Sequence, residues 1–244
     1  MIPVWLHELS IAWLAFGWCC AALIAADLIR HPQHMWIMNL VWPITALFGT
    51  AWVLWQYFAY GRLASHENAL AARQHHEEVP SKRLTPFPIM VGNGALHCGS
   101  GCTLGDIFSE WLAFAFPAIA IALGWHKLFA DKIFAVWILD YAFAYAFGIV
   151  FQYFAIAPMR GLSFRDGILA AVKADTLSLT AWQVGMYGFM AIAYFAIFRA
   201  SFRVKLEVNS VEFWFMMQIA MIAGFLTSYP VNWWLIRRGV KERM

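Results

Sequence analysis

The chain has 244 residues, a net charge of +3, 62% hydrophobic residues and only 13% charged ones. A soluble domain carries about 25% charged residues, and half that charge cannot cover a water-facing surface of this size. The mean hydropathy of +0.62 agrees, so soluble-enzyme and disordered-chain readings fall away and a polytopic all-α membrane helix bundle remains.

The basic residues sit at segment ends rather than in a patch, so no nucleic-acid partner is expected. Four cysteines, Cys19, Cys20, Cys98 and Cys102, are too few for a secreted disulfide scaffold. A bilayer core about 30 Å thick takes roughly 20 apolar residues of helix. Six stretches qualify, at about 10–29, 35–60, 98–124, 133–157, 176–198 and 211–236. The first lacks the basic leader and small-residue cleavage site of a signal peptide. Pro43, Pro117 and Pro230 lie inside these stretches and mark expected kinks.

The one long connection, at about 61–97, is a polar loop with a helical piece followed by the Pro-rich PFP and the Gly-bearing VGNGALH. It is too short for a separate domain, so residues 1–244 read as one membrane domain. With six spans, both termini and this loop share a side that holds ten Lys or Arg residues against six opposite. Both termini are therefore expected in the cytoplasm, although Arg199, Arg203 and Lys205 run against that orientation.

The stretch GNGALHCGSGCTLGDIFSEW, residues 92–111, carries the most chemistry. If a helix begins near His97, then Cys98, Cys102, Asp106 and Glu110 follow at i+4 steps along one face. Gly101 and Gly105 lie on a neighbouring stripe that lets another helix approach closely. Free amides at a helix start would also favour a thiolate at Cys98. Charged side chains at membrane depth cost at least about 2.5–3.5 kcal/mol, so the carboxylates need partners or protons.

Cys98 and Cys102, with His97, suit a soft metal such as Cu(I), with Zn(II) as the alternative. Simple packing and a thiol–disulfide pair are the other two readings. Cysteines one helical turn apart close into a disulfide only with distortion, which ranks redox chemistry third. Cys19 and Cys20 face different sides of their helix and read as packing residues.

A second polar cluster is KADTLSLTAWQVGMYGFM, residues 173–190. Asp175 or Thr176 would start the fifth span, and Lys173 either reaches the interface or neutralises Asp106 or Glu110. Thr176, Thr180 and Gln183 continue the polar stripe, and Met186 and Met190 extend it by a turn. With Met217 and Met221 these thioethers form a candidate soft-ligand relay, against packing as the plainer reading. Asp140 falls mid-span and is a candidate partner for Lys173 or a proton carrier. No facing pair of mid-span histidines suggests haem, and no Walker loop, GxSxG or HExxH occurs, so neither haem nor nucleotide is expected.

At HCGSGCTLGDIFSEW, KADTLSLTAWQVGMYGFMAI and TSYPVNWWLIRRGVKERM the chain resembles a family of bacterial integral membrane proteins known only as a domain of unknown function. WPITALFG in the second span also fits. Members of that family are sometimes linked to copper proteins. The resemblance implies a compact multi-helix inner-membrane domain and singles out His97, Cys98, Cys102, Asp106, Lys173, Asp175 and Asn232. It supplies no established activity.

The leading expectation is a membrane transporter or handler of a soft metal ion. His97, Cys98 and Cys102 would capture the ion at the cytoplasmic face, and Asp106, Glu110, Asp140, Lys173 and Asp175 would relay charge or protons. A membrane thiol oxidoreductase and a structural subunit are the alternatives. The lipid bilayer, a metal ion and a second copy of the chain are the partners this reading admits.

Overall fold

A computed structural model describes residues 1–242. The chain is all-α. Long helices are α1 (Val4–Arg30), α2 (Met38–Ala59), α5 (Phe87–Ala115), α7 (Lys132–Arg160), α8 (Phe164–Ala191) and α9 (Val211–Arg237). Short ones are α3 (His66–Gln74), α4 (Pro80–Leu84) and α6 (Pro117–Ala122). A wider, π-type coil over Ile192–Phe202 prolongs α8.

Five helices among the described residues are long and apolar enough to cross a membrane: α1, α2, α7, α8 with its extension, and α9. Their outward faces are apolar, as lipid requires. On α1 alone Trp5, Leu9, Ile11, Trp13, Trp18 and Leu23 are exposed. α5 is as long as α7 but is diluted by Gly, Ser, Thr, Asn and His and by two carboxylates. That composition follows from its position. α5 is the central helix, buried almost without interruption from Met90 to Asp106, and a helix wrapped in protein needs no apolar coat.

Neighbouring contacts define two ends of the bundle. Ala113 meets Lys132, Asp131 meets Arg199, His7 meets Glu212 and the amino terminus meets Phe202 at one end. Pro88 meets Tyr229, Trp36 meets Phe154 and Arg160 meets Glu242 at the other. Thus α5 and α8 run antiparallel to α1, α7 and α9.

α2 does not follow this pattern. At its start Trp42 packs on Tyr57, and Gly61 sits against both rings. Tyr57 donates to Asp27 at the end of α1, and Gln33 pairs with Ser65. Both ends of α2 therefore lie at the same end of the bundle. The reversal is at Thr50, whose φ of 44° and ψ of −126° break the helix. The tip reaches the bundle middle, where Leu47 meets Gly17 and Phe48 meets Trp182. α2 is thus a helical hairpin whose two ends lie together, and the amino terminus and Glu242 lie at opposite ends of the bundle. The stretch 35–60 is therefore not one straight helix, and hydropathy cannot distinguish one long helix from two short ones folded back. The break falls at Thr50 rather than at Pro43, which stays within the helix.

Two other boundaries move. The third stretch becomes α5, starting at Phe87 behind Pro86 and ending at Ala115, with Phe116 as its cap before Pro117. The Gly-bearing part of the expected 61–97 loop is therefore helix, and only 61–86 remains connection. The fifth begins at Phe164, where the Ser163 hydroxyl accepts from the Asp166 amide. Asp175 and Thr176 do not start this helix, since they lie three turns inside it.

Candidate functional site

α5 and α7 touch backbone to backbone. A Cβ built on Gly105 would fall 2.4 Å from the Ala144 nitrogen, and one on Gly101 2.8 Å from the Gly148 Cα. The expected small-residue stripe is therefore the seam of the bundle. Ser109 lies one turn further and donates to Asp140 across the same seam. Gly99 and Gly224 hold the Trp182 ring between α5 and α9.

This close packing gathers the polar groups of α5 inside the molecule. Cys98, Cys102 and Asp106 are fully buried, and Glu110 is 5% exposed. The two thiols are within hydrogen-bonding reach of each other, and neither forms a disulfide. They sit inside a regular helix, with Cys98 eleven residues beyond Phe87, or about 17 Å of helical rise. Two expectations change with that placement. The thiols lie mid-bundle rather than at a cytoplasmic mouth, and the helix-start amides are too distant to favour a thiolate. Cys19 is exposed and Cys20 buried, on different faces of α1.

His97 is also buried, but its ring packs against Phe151 at 6.3 Å between centroids, and neither ring nitrogen makes a well-formed hydrogen bond. Among the described residues no group of three or more His, Cys, Asp or Glu side chains is arranged to hold a metal ion. Four-ligand zinc coordination of the usual structural kind is thus missing from these residues. Two neighbouring thiols remain, a ligand pair suited to a soft ion.

Asp106 makes no well-formed hydrogen bond on either oxygen; the Gln183 amide is within hydrogen-bonding reach of it, and Glu110 is close enough to act on it electrostatically. Asp140 accepts from Ser109 on one oxygen and has no partner on the other. Lys132 influences Glu110 and donates to the Ala113 carbonyl at 3.0 Å. Lys173 is exposed on the far side of α8 and cannot neutralise any of these acids. The Tyr141 and Tyr145 hydroxyls bond Thr180 and Thr176 at 2.9 Å, which joins the α8 polar stripe to α7.

Among the described residues the buried cation is Lys241, beyond the end of α9. Its ammonium is 3.2 Å from Asp175 Oδ1, with the two side chains 0% and 1% exposed. Sequence reasoning passed over it because RRGVKERM reads as a basic tail. The glycine at 239, with φ of 72°, is the signal that the chain turns back there. Gln152 on α7 is a second buried polar group that the sequence reading passed over.

Two cavities approach this core from opposite ends. One, of about 350 Å³, is lined by Asp106, Thr103, Trp111, Trp214, Met217 and Met221, with the tip of α2 as part of its wall. The other, of about 800 Å³, reaches Asn93, Trp42 and Lys241 from the end that carries α3 and α4. Met217 and Met221 therefore share a cavity with Asp106, whereas Met186 and Met190 are buried in the core without lining it.

A family model described as a domain of unknown function, DUF4396, matches residues 89–241. The chain belongs to this family. The matched region runs from the first turn of α5 through Lys241, and so contains both thiols, all the buried acids described above and the lysine that pairs with Asp175. α1 and the α2 hairpin precede it. No curated protein and no solved structure matches the chain.

Proposed function

We propose that this protein is a membrane transporter of a soft metal ion, with Cu(I) as the cargo. The observation that carries this reading is the file of buried polar groups along α5, placed between two cavities at opposite ends. Lys241 and Asp175 lie nearest the larger cavity, Cys98 and Cys102 at mid-depth, and Asp106 on the wall of the smaller one. A purely structural subunit has no need of such a file, since buried acids and thiols cost stability and a plain apolar seam would pack as well.

In this mechanism the thiol pair is the mid-membrane station for the ion. A soft, singly charged cation is stabilised by two sulfurs, which lose their protons as it arrives. Asp106, Glu110 and Asp140 accept those protons or balance the charge. Met217 and Met221 supply thioether contacts toward the smaller cavity. Zn(II) is the weaker candidate because its usual nitrogen and sulfur ligands number three or four.

Five crossings, by α1, α5, α7, α8 and α9, with α2 re-entrant, place the termini on opposite sides. The end that holds Arg30, Arg62, Arg73, Lys82, Arg83, Arg160, Arg165, Arg237 and Arg238 is then cytoplasmic, against Lys127, Lys132, Arg199, Arg203 and Lys205 outside. The host membrane is a bacterial inner membrane. This orientation replaces the expectation of two cytoplasmic termini.

Metal analysis of anaerobically purified protein tests the cargo. Wild type is expected to bind Cu(I) stoichiometrically, and Cys98→Ser and Cys102→Ser to lose it. Equal metal content in all three would remove the basis of the reading.

A further inference from the structure

The Lys241–Asp175 pair has features that an ordinary structural ion pair lacks. Its surroundings are oxygen-rich and incompletely used. The Ser178 and Ser228 hydroxyls lie 3.2 Å apart, and the Asn232 amide donates to them at 2.7 and 2.8 Å. The Lys241 ammonium reaches Ser178 at 3.5 Å as well as Asp175 at 3.2 Å. Asp175, Ser178, Ser228 and Asn232 are all fully buried, yet Asp175 Oδ2 and Asn232 Oδ1 have no partner.

Space at this position is made by glycine. A Cβ on Gly148 would lie 2.8 Å from Asp175 Oδ2, and one on Gly94 would lie 3.8 Å from Asn232 Oδ1 and 3.9 Å from the Lys241 Cε. The lysine itself is carried by a short tail that leaves α9 at Gly239 and is tied down by Arg160 and Glu242 at 2.5 Å. His97 and Cys102 are the other titratable groups near the pair, and neither supplies a second negative charge of the strength of a carboxylate.

One carboxylate and one hydroxyl touch the ammonium, and the Ser228 hydroxyl and the Asn232 amide adjoin them, a set of oxygens that suits a hard monovalent cation. Divalent ions such as Ca²⁺ draw on more oxygen ligands, commonly including several carboxylates. We propose that Asp175, Ser178, Ser228 and Asn232 form a binding site for an alkali cation of about the size of Na⁺. The Lys241 ammonium occupies that site as a tethered competitor, so the tail holds it closed in this state. The site is separate from the thiol pair and does not require the copper reading to be right.

The test uses the full-length protein purified in detergent, with NaCl, LiCl and KCl compared with N-methyl-D-glucamine chloride at equal ionic strength. In wild type, thermal stability is expected to be the same in all four salts. In Lys241→Ala, at least one alkali ion is expected to raise the melting temperature above its value in N-methyl-D-glucamine. Binding of that ion, read with a radiolabel, should be at least about tenfold tighter than in wild type. Asp175→Asn in the Lys241→Ala background should abolish both effects. Should Lys241→Ala unfold in N-methyl-D-glucamine, recovery by an alkali ion supports the site. A Lys241→Ala protein that behaves identically in all four salts, or stays unfolded in all of them, overturns it and leaves a structural ion pair.

Discussion

At membrane depth a carboxylate costs at least about 2.5–3.5 kcal/mol, yet Asp106 is fully buried with no well-formed hydrogen bond to either oxygen and only the Gln183 amide within reach. A group kept at that cost for structure alone would be partnered. Asp106→Asn is therefore expected to leave the melting temperature unchanged or raised while lowering transport to near background. A fall of more than a few degrees would assign the residue a structural role instead. The residue scale is also where the sequence was partly legible. The i+4 run Cys98, Cys102, Asp106, Glu110 does enter the core as one set, because helical spacing alone decides which side chains share a face. The identity of the buried cation was not legible. Lys173 and Lys241 have the same chemistry, and only the turn at Gly239 brings Lys241 inward while α8 turns Lys173 out.

Among the elements, α2 and α5 are the two that hydropathy misjudges, in opposite directions. α2 is apolar enough to span but folds back at Thr50, and α5, the helix around which the others pack, was read as starting only at about residue 98 because its first three turns are too polar. Hydropathy reports what faces lipid, so it misplaces the ends of a helix surrounded by protein and cannot see a reversal between two apolar pieces. A β-branched residue at positive φ is strained by about 1–3 kcal/mol, and glycine would relieve this. Thr50→Gly is expected to raise the melting temperature, and Thr50→Pro, which cannot adopt that φ, to lower it. A thermal scan of the two variants decides the matter; a lower value for Thr50→Gly would contradict the turn. At the α5–α7 seam, Gly105→Ala forces a Cβ into the Ala144 backbone. Overpacking of that kind costs about 1–3 kcal/mol, and a loss of several degrees is expected. An unchanged melting temperature would mean that the two helices do not meet as described.

For the whole molecule, the number of crossings decides where the termini lie. Six antiparallel spans would put both on one side, whereas five crossings and a re-entrant hairpin put them on opposite sides. Single cysteines placed near each terminus in a background without Cys19 and Cys20 would report this through labelling by a membrane-impermeant maleimide in intact cells. Labelling is expected at the amino terminus only, and equal labelling at both ends would restore a six-span arrangement. The class of protein was legible from composition alone, because 13% charge leaves too little to face water. The topology was not, because it depends on a single backbone reversal that no residue type enforces.

Transport along α5 is the centre of this account, and uptake of Cu(I) into sealed proteoliposomes under reducing conditions tests it most directly. Wild type is expected to load the vesicles well above the protein-free rate. Cys98→Ser/Cys102→Ser and Asp106→Asn should each fall to that rate while remaining folded. Wild-type uptake no faster than that of protein-free vesicles, or full uptake by the double cysteine variant, would contradict it.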